Sequence, residues 1–201
     1  VHEPSAESFA AALAALRRGE AVVFPTETFY GVGANALDAA AVERVAALKG
    51  RGADSPIAVI VADRAMLAQI VDDIPAAAEK LIARFWPGPL TLVLSAKRGI
   101  PAPLVNSAGK IGARVSSHPT AARLARELGR PLTATSANPS GKNPARSIAE
   151  AKAYFADKIG VYIDGGALTG TAASTVAEID GGELKIIRAG AIAEEELKKW
   201  L

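Results

Sequence analysis

A strand that cannot continue is the strongest constraint in this chain. Ala21–Phe24 is an apolar run, and Pro25 ends it, because proline has no N–H to extend a ladder and fixes its own φ. Two hydroxyls (Thr26, Thr28), a carboxylate (Glu27) and a phenol (Tyr30) follow, and then the bare backbone of Gly31 and Gly33. Polar groups and glycines at a strand end are where open α/β sheets place ligands. Asp38 then caps a helix whose Val42, Val45, Ala46 and Leu48 share one face, and which ends in Lys49-Gly50-Arg51. Hydroxyls, bare backbone and a pair of cations suit an anionic ligand such as a nucleotide.

The rest of the chain alternates strand and helix. Apolar strands are expected at Ile57–Val61, Leu90–Leu94, Ile111–Val115, Pro131–Thr135 and Ile159–Ile163. Ser174–Ile179 and Leu184–Arg188 flank Asp-Gly-Gly and read as a hairpin. Helices are expected after Ser5 (through Arg17–Arg18, stopped by Gly19), after Asp63 to about Ile70, from Pro75 to Phe85–Trp86, and from Pro119 to Gly129. Ser147 with Glu150 forms a capping box, and the last helix, Glu194–Leu201, carries Glu194/Lys198 and Glu195/Lys199 pairs. Pro101–Lys110 and Asn138–Arg146 read as loops, the latter a candidate lid whose motion the sequence does not show. The pattern predicts an α/β fold: one domain, residues 1–201, with a twisted open mixed sheet and helices on both sides.

Composition removes whole classes of chemistry. With no cysteine, disulfides, thiolate nucleophiles and Cys-ligated zinc are excluded, and two distant histidines (His2, His118) give no basis for a His metal site. A net charge of +2 permits contact with phosphates or RNA without requiring it. No run of about 18 apolar residues occurs, so a soluble, cytoplasmic protein without membrane contact is the expectation. Gly31-Val-Gly33-Ala-Asn-Ala36 fits a dinucleotide fingerprint, but the glycines stand about six residues beyond the strand rather than in a tight strand-to-helix turn. There is no Walker A pattern and no Gly-x-Ser-x-Gly elbow.

Each remaining polar group has an ordinary reading when taken alone. Lys49 and Arg51 suit the negative end of a helix dipole, Ser136 and Asn138 are common turn residues, and Arg114 and Arg188 are strand-end cations. Their order along the chain is less ordinary. Phe24-Pro-Thr-Glu-Thr-Phe-Tyr-Gly31, Lys49-Gly-Arg51, Trp86-Pro-Gly-Pro-Leu-Thr91, Ser136-Ala-Asn-Pro-Ser-Gly141 and Ser174-Thr-Val176 together resemble the threonylcarbamoyl-AMP synthase (YrdC-like) family, from about Phe9 to Gly190.

That resemblance implies a twisted α/β sheet with a large concave basic cavity, in the short single-domain type. It implies an enzyme, a nucleotidyltransferase that joins ATP, bicarbonate and L-threonine into threonylcarbamoyl-AMP and pyrophosphate, with Mg²⁺ accompanying ATP. Partner proteins then use the product to modify tRNA. Carried over residue by residue, Lys49 and Arg51 are the catalytic, phosphate-holding cations, and Ser55, Lys110, Ser136, Asn138 and Arg188 complete the ATP site. Thr28, Arg114 and Ser174 take threonine. No metal-binding side chains are implied, and tRNA or double-stranded RNA is a further candidate partner. Departures from the family pattern are Gly52 (usually Pro), Ser55 (often Asn or Lys), Ile60 (often His) and Lys110 (often Thr), and they leave the substrate open. The competing reading is a paralogue that binds RNA or nucleotide without making the adenylate.

Overall fold

A computed structural model describes residues 4–50 and 55–201. Among them the strands are β1 (Val22–Phe24), β2 (Gly31–Gly33), β3 (Val59–Ile60), β4 (Leu90–Ser95), β5 (Lys110–Arg114), β6 (Leu132–Thr133), β7 (Thr135–Ser136), β8 (Val161–Tyr162), β9 (Thr175–Asp180) and β10 (Glu183–Arg188). The α-helices are α1 (Ala6–Arg17), α2 (Ala39–Lys49), α3 (Arg64–Leu67), α4 (Ala76–Phe85), α5 (Pro119–Leu128), α6 (Ile148–Phe155) and α7 (Glu194–Lys198).

Local signals place the helices. Ser5, Asp38, Asp63 and Ser147 each accept a backbone N–H of the first turn, and Gly50 and Gly129 end their helices in the left-handed region. Two details differ from expectation. Glu150 reaches back to the N–H of Arg146 at 2.7 Å instead of Ser147. In α7, Lys198 pairs with Glu194, but Lys199 pairs with Glu196 instead of Glu195.

The strands form two mixed sheets, not the single sheet expected. One has the order β7-β2-β1-β8 and the other β10-β9-β4-β5-β3-β6. The expected strand Pro131–Thr135 is divided between them. The N–H of Thr133 bonds Ala34 O at 2.9 Å and that of Ala134 bonds Ala58 O at 2.8 Å, so successive donors serve different sheets. Gly31–Gly33, for which the sequence suggested only bare backbone, is strand β2, antiparallel to β1. Its glycine at 33 is a packing requirement: a Cβ there would lie 2.6 Å from both Phe24 Cε1 and Thr133 O.

Helices cover both sides. Phe9, Leu13 and Leu16 of α1 and Leu124 of α5 pack on Val22, Phe24, Ile60, Leu132 and Ile163. On the other side, a larger core joins Val42 and Val45 of α2, Leu67 of α3 and Leu81 of α4 to the inward residues of β4 and β5. No described helix is long and apolar enough to cross a membrane.

Candidate active site

Period-two alternation builds one wall of the site. Along β5, Ile111 and Ala113 enter the core while Lys110, Gly112 and Arg114 face a cavity. Along β4, Leu90, Leu92 and Leu94 are core and Thr91 and Val93 face the same cavity. The register sets Val93 beside Gly112 and Thr91 beside Val176, so these residues tile one surface. The opposite wall is the Thr26–Gly31 turn and residues 134–136, and Ser174 and Arg188 close one end. The cavity measures about 630 Å³, within the range of pockets that enclose small ligands.

The turn after β1 is held by its own hydroxyls. Thr26 Oγ1 donates to Phe29 O at 2.6 Å and accepts the N–H of Thr28 and of Phe29 at 3.2 and 3.3 Å, and Thr28 Oγ1 lies 3.1 Å away. Tyr30 is tied to the loop after β8, donating to Gly166 O at 2.7 Å and accepting Gly165 N–H at 2.9 Å. Burial raises its phenol above the ordinary value, and Asp164 adds to the rise.

Glu27 points back at β5. Its Oε1 accepts Arg114 Nε at 3.0 Å, and its Oε2 accepts the Ser116 hydroxyl. Burial pushes the Glu27 carboxyl up, but Arg114 and Ser116 together outweigh it and hold the group below the usual carboxylate range. Ser116 Oγ also accepts the N–H of His118 at 3.2 Å, and His118 caps α5 by accepting Thr120 N–H at Nδ1. Burial lowers the pKa of His118 and so favours the neutral ring, against the pull of Glu27.

At the other end, Ser174 Oγ meets Thr91 Oγ1 at 2.9 Å, and Arg188 Nη2 donates to Ser174 O and Oγ at 2.7 and 3.1 Å. Lys110 Nζ bonds Glu178 Oε1, and that hydrogen bond raises the lysine pKa. Thr135 Oγ1, on the cavity wall, is buried without a protein partner among the described residues.

Of the expected site residues, Thr28, Ser55, Lys110, Arg114, Ser136, Ser174 and Arg188 line this one cavity. Lys49 and Asn138 stand behind its wall. Lys49 is buried, and its ammonium donates to the carbonyls of Ser136 and Asn138. Asn138 Nδ2 closes its own loop on Pro139 O and Lys142 O at 2.8 and 2.7 Å. Arg51 and Gly52 lie outside the described residues. Ile60 packs against the α1 and α5 side, so a polar contact from that position to the cavity is not available; Ala58 lines it instead. Sequence reasoning missed the roles of Glu27, Ser116 and Gly112. The alternation in Lys110–Arg114 would have exposed Gly112, whereas the Glu27 contact spans 87 residues and leaves no local trace. Among the described residues no three His, Asp or Glu side chains converge to hold a metal ion, and the carboxylates of Glu27 and Glu178 are each engaged by a cation, so this wall offers no ready cage.

Residues 14–190 match the Sua5/YciO/YrdC family model, described as Telomere recombination. The chain belongs to this family. It is 40% identical over 184 residues to a threonylcarbamoyl-AMP synthase of Pyrococcus abyssi, covering 92% of this chain but 54% of that protein. With the enzyme of the same description from Pseudoalteromonas translucida it shares 38% over 179 residues, 88% of this chain and 96% of that one. The structure of P. abyssi Sua5 complexed with L-threonine superposes on all of this chain and 59% of its own, with a TM-score of 0.94 and 38% identity. E. coli YciO superposes on 100% of this chain and 96% of its own, with a TM-score of 0.86 and 25% identity. The family expectation and the mixed α/β fold are thus both borne out.

Proposed function

We propose that this protein is an L-threonylcarbamoyladenylate synthase, an enzyme that makes threonylcarbamoyl-AMP and pyrophosphate from ATP, bicarbonate and L-threonine for modification of tRNA. The observation that carries the reading is the convergence of Thr28, Arg114, Ser174, Ser136 and Arg188 on one cavity, in a chain so similar to a protein that binds L-threonine. The order of events follows from the chemistry. Threonine nitrogen adds to CO₂ drawn from bicarbonate, with loss of a proton, giving a carbamate. A carbamate oxygen attacks the α-phosphorus, the bond to the β-phosphate oxygen breaks in line, and pyrophosphate departs.

Such a transfer depends on positioning and on stabilising anionic charge, tasks for donors fixed before the ligands arrive. Arg114 and Ser174 take the threonine carboxylate, and Thr28 contacts threonine from the lining of the same cavity. Ser136 and Arg188, with Ser55 and Lys110, meet the nucleotide, Arg51 completes the phosphate side, and Lys49 holds the Ser136 and Asn138 carbonyls of the wall. Mg²⁺ arrives with ATP as part of the substrate. The product passes to partner proteins of the tRNA modification system in the cytoplasm.

The engagement of Lys49 and Lys110 by protein groups favours a second reading, a paralogue that binds nucleotide or RNA without forming the adenylate. Pyrophosphate release from Mg-ATP and bicarbonate, with and without L-threonine, separates the two when product nucleotides are followed by mass spectrometry. Threonine-dependent pyrophosphate with a threonylcarbamoyl-AMP peak is expected. ATP binding without that peak overturns the synthase reading in favour of the second.

A further inference from the structure

Arg114 is almost enclosed, with 7% of its side chain exposed, and its partner Glu27 retains 11%. The bond between them uses Nε of the guanidinium. Its two terminal amino groups have no protein partner among the described residues, and Arg114 lines the cavity. Guanidinium donors lie in one plane, so a partner at Nε fixes the plane and leaves the terminal fork for a ligand.

A carboxylate beside arginine ordinarily takes two parallel bonds and would consume part of that fork. Here the second oxygen of Glu27 is occupied by the Ser116 hydroxyl, and the N–H of His118 holds Ser116 Oγ at 3.2 Å. Glu27 is therefore kept to one contact on the arginine. It compensates the buried charge without occupying the outer donors.

We infer that Glu27 and Ser116 are positioning residues that hold Arg114 with its terminal amino groups open to the substrate carboxylate. The inference rests on the synthase reading and deepens it, since it names how the threonine site is kept open before threonine binds. Glu27 balances the cation while the site is empty, and Ser116 prevents Glu27 from competing with the ligand.

Calorimetric titration of L-threonine, and separately of Mg-ATP, into wild type, Glu27→Gln and Ser116→Ala tests this. Loss of one charge-assisted contact's worth of order should weaken threonine binding about tenfold in each variant, with ATP affinity kept within about threefold. Ser116→Ala removes no charge, so it decides alone if Glu27→Gln fails to fold. Unchanged or tighter threonine binding in folded Ser116→Ala overturns the inference and leaves the synthase reading standing. Equal weakening of threonine and ATP marks a general structural role and also overturns it. Absence of threonine binding in wild type removes both.

Discussion

Arg114 and Lys49 are both buried cations beside the same cavity, but they are held in opposite ways. Arg114 faces a carboxylate that takes one of its donors and leaves the outer ones open. Lys49 gives its protons to two backbone carbonyls, of Ser136 and Asn138, and its own carbonyl accepts the N–H of Ser140 at 2.9 Å. The arginine is arranged to meet a ligand, and the lysine fastens the loop that forms one wall. A cation's sequence motif thus says little about its task; the charge and geometry of its partner decide it.

The largest effect should come from Arg114→Ala. It strands the Glu27 carboxylate in a buried setting with Ser116 as its remaining partner, and breaking a buried pair from one side costs about 3–5 kcal/mol. Urea unfolding should show that loss, and threonine-dependent turnover should vanish with it. Arg114→Lys sharpens the test, because it restores charge without the fork: stability should return in part and threonine binding should not.

The neutral carbonyls of Ser136 and Asn138 that Lys49→Met leaves unpaired should cost about 1–3 kcal/mol, less than the stranded Glu27 carboxylate. Hydrogen exchange at Ser140 should accelerate as the loop loosens. If Lys49→Met instead abolished ATP binding with stability and exchange unchanged, the contrast with Arg114 would be broken, and Lys49 would be a ligand contact rather than a fastening.

Acid tests the Arg114 side by another route. The pKa values of Glu27 and His118 are both lowered by folding, so the unfolded chain binds more protons wherever these groups titrate, and stability must fall with pH. The contribution of His118 is intact above its ordinary value of 6.5 and declines below it; that of Glu27 is intact above 4.5 and is lost as pH falls through the depressed folded value. Urea midpoints followed from pH 8 down to about pH 2 should fall in two stages, and His118→Gln should remove the upper one. A flat profile would show that neither group is coupled to folding.

What the sequence disclosed divides along physical lines. Helix caps such as Ser5, Asp38, Asp63 and Ser147 act within three residues, so their elements were legible. The division of Leu132–Ser136 between two sheets depends on Ala34 and Ala58, about a hundred and about 75 residues distant in sequence, and two-residue strands carry no period of their own. Site residues were legible where strand alternation or motif order exposed them, as with Arg114, Ser174 and Ser136. Glu27 stood in plain view between two threonines, but its task is set by Arg114 and Ser116 and was not readable from its neighbours.

The smallest effect concerns Lys110, which resembles neither cation fully. It faces the cavity as Arg114 does, yet it is paired with Glu178, 68 residues away. The pair retains 24% and 10% side-chain exposure, so water screens it and each change should be modest. Lys110→Thr leaves the Glu178 carboxylate facing the cavity and should weaken nucleotide binding severalfold through repulsion of phosphate. Glu178→Gln releases the lysine's charge toward the cavity and should strengthen nucleotide binding by about the same factor, with the gain fading as salt rises toward molar levels. Titration of Mg-ATP into both variants at two ionic strengths reads the sign directly. Opposite shifts make Lys110 a ligand-facing cation moderated by its neighbour, and two null results make it a fastening of the β5 and β9 wall, on the side of Lys49.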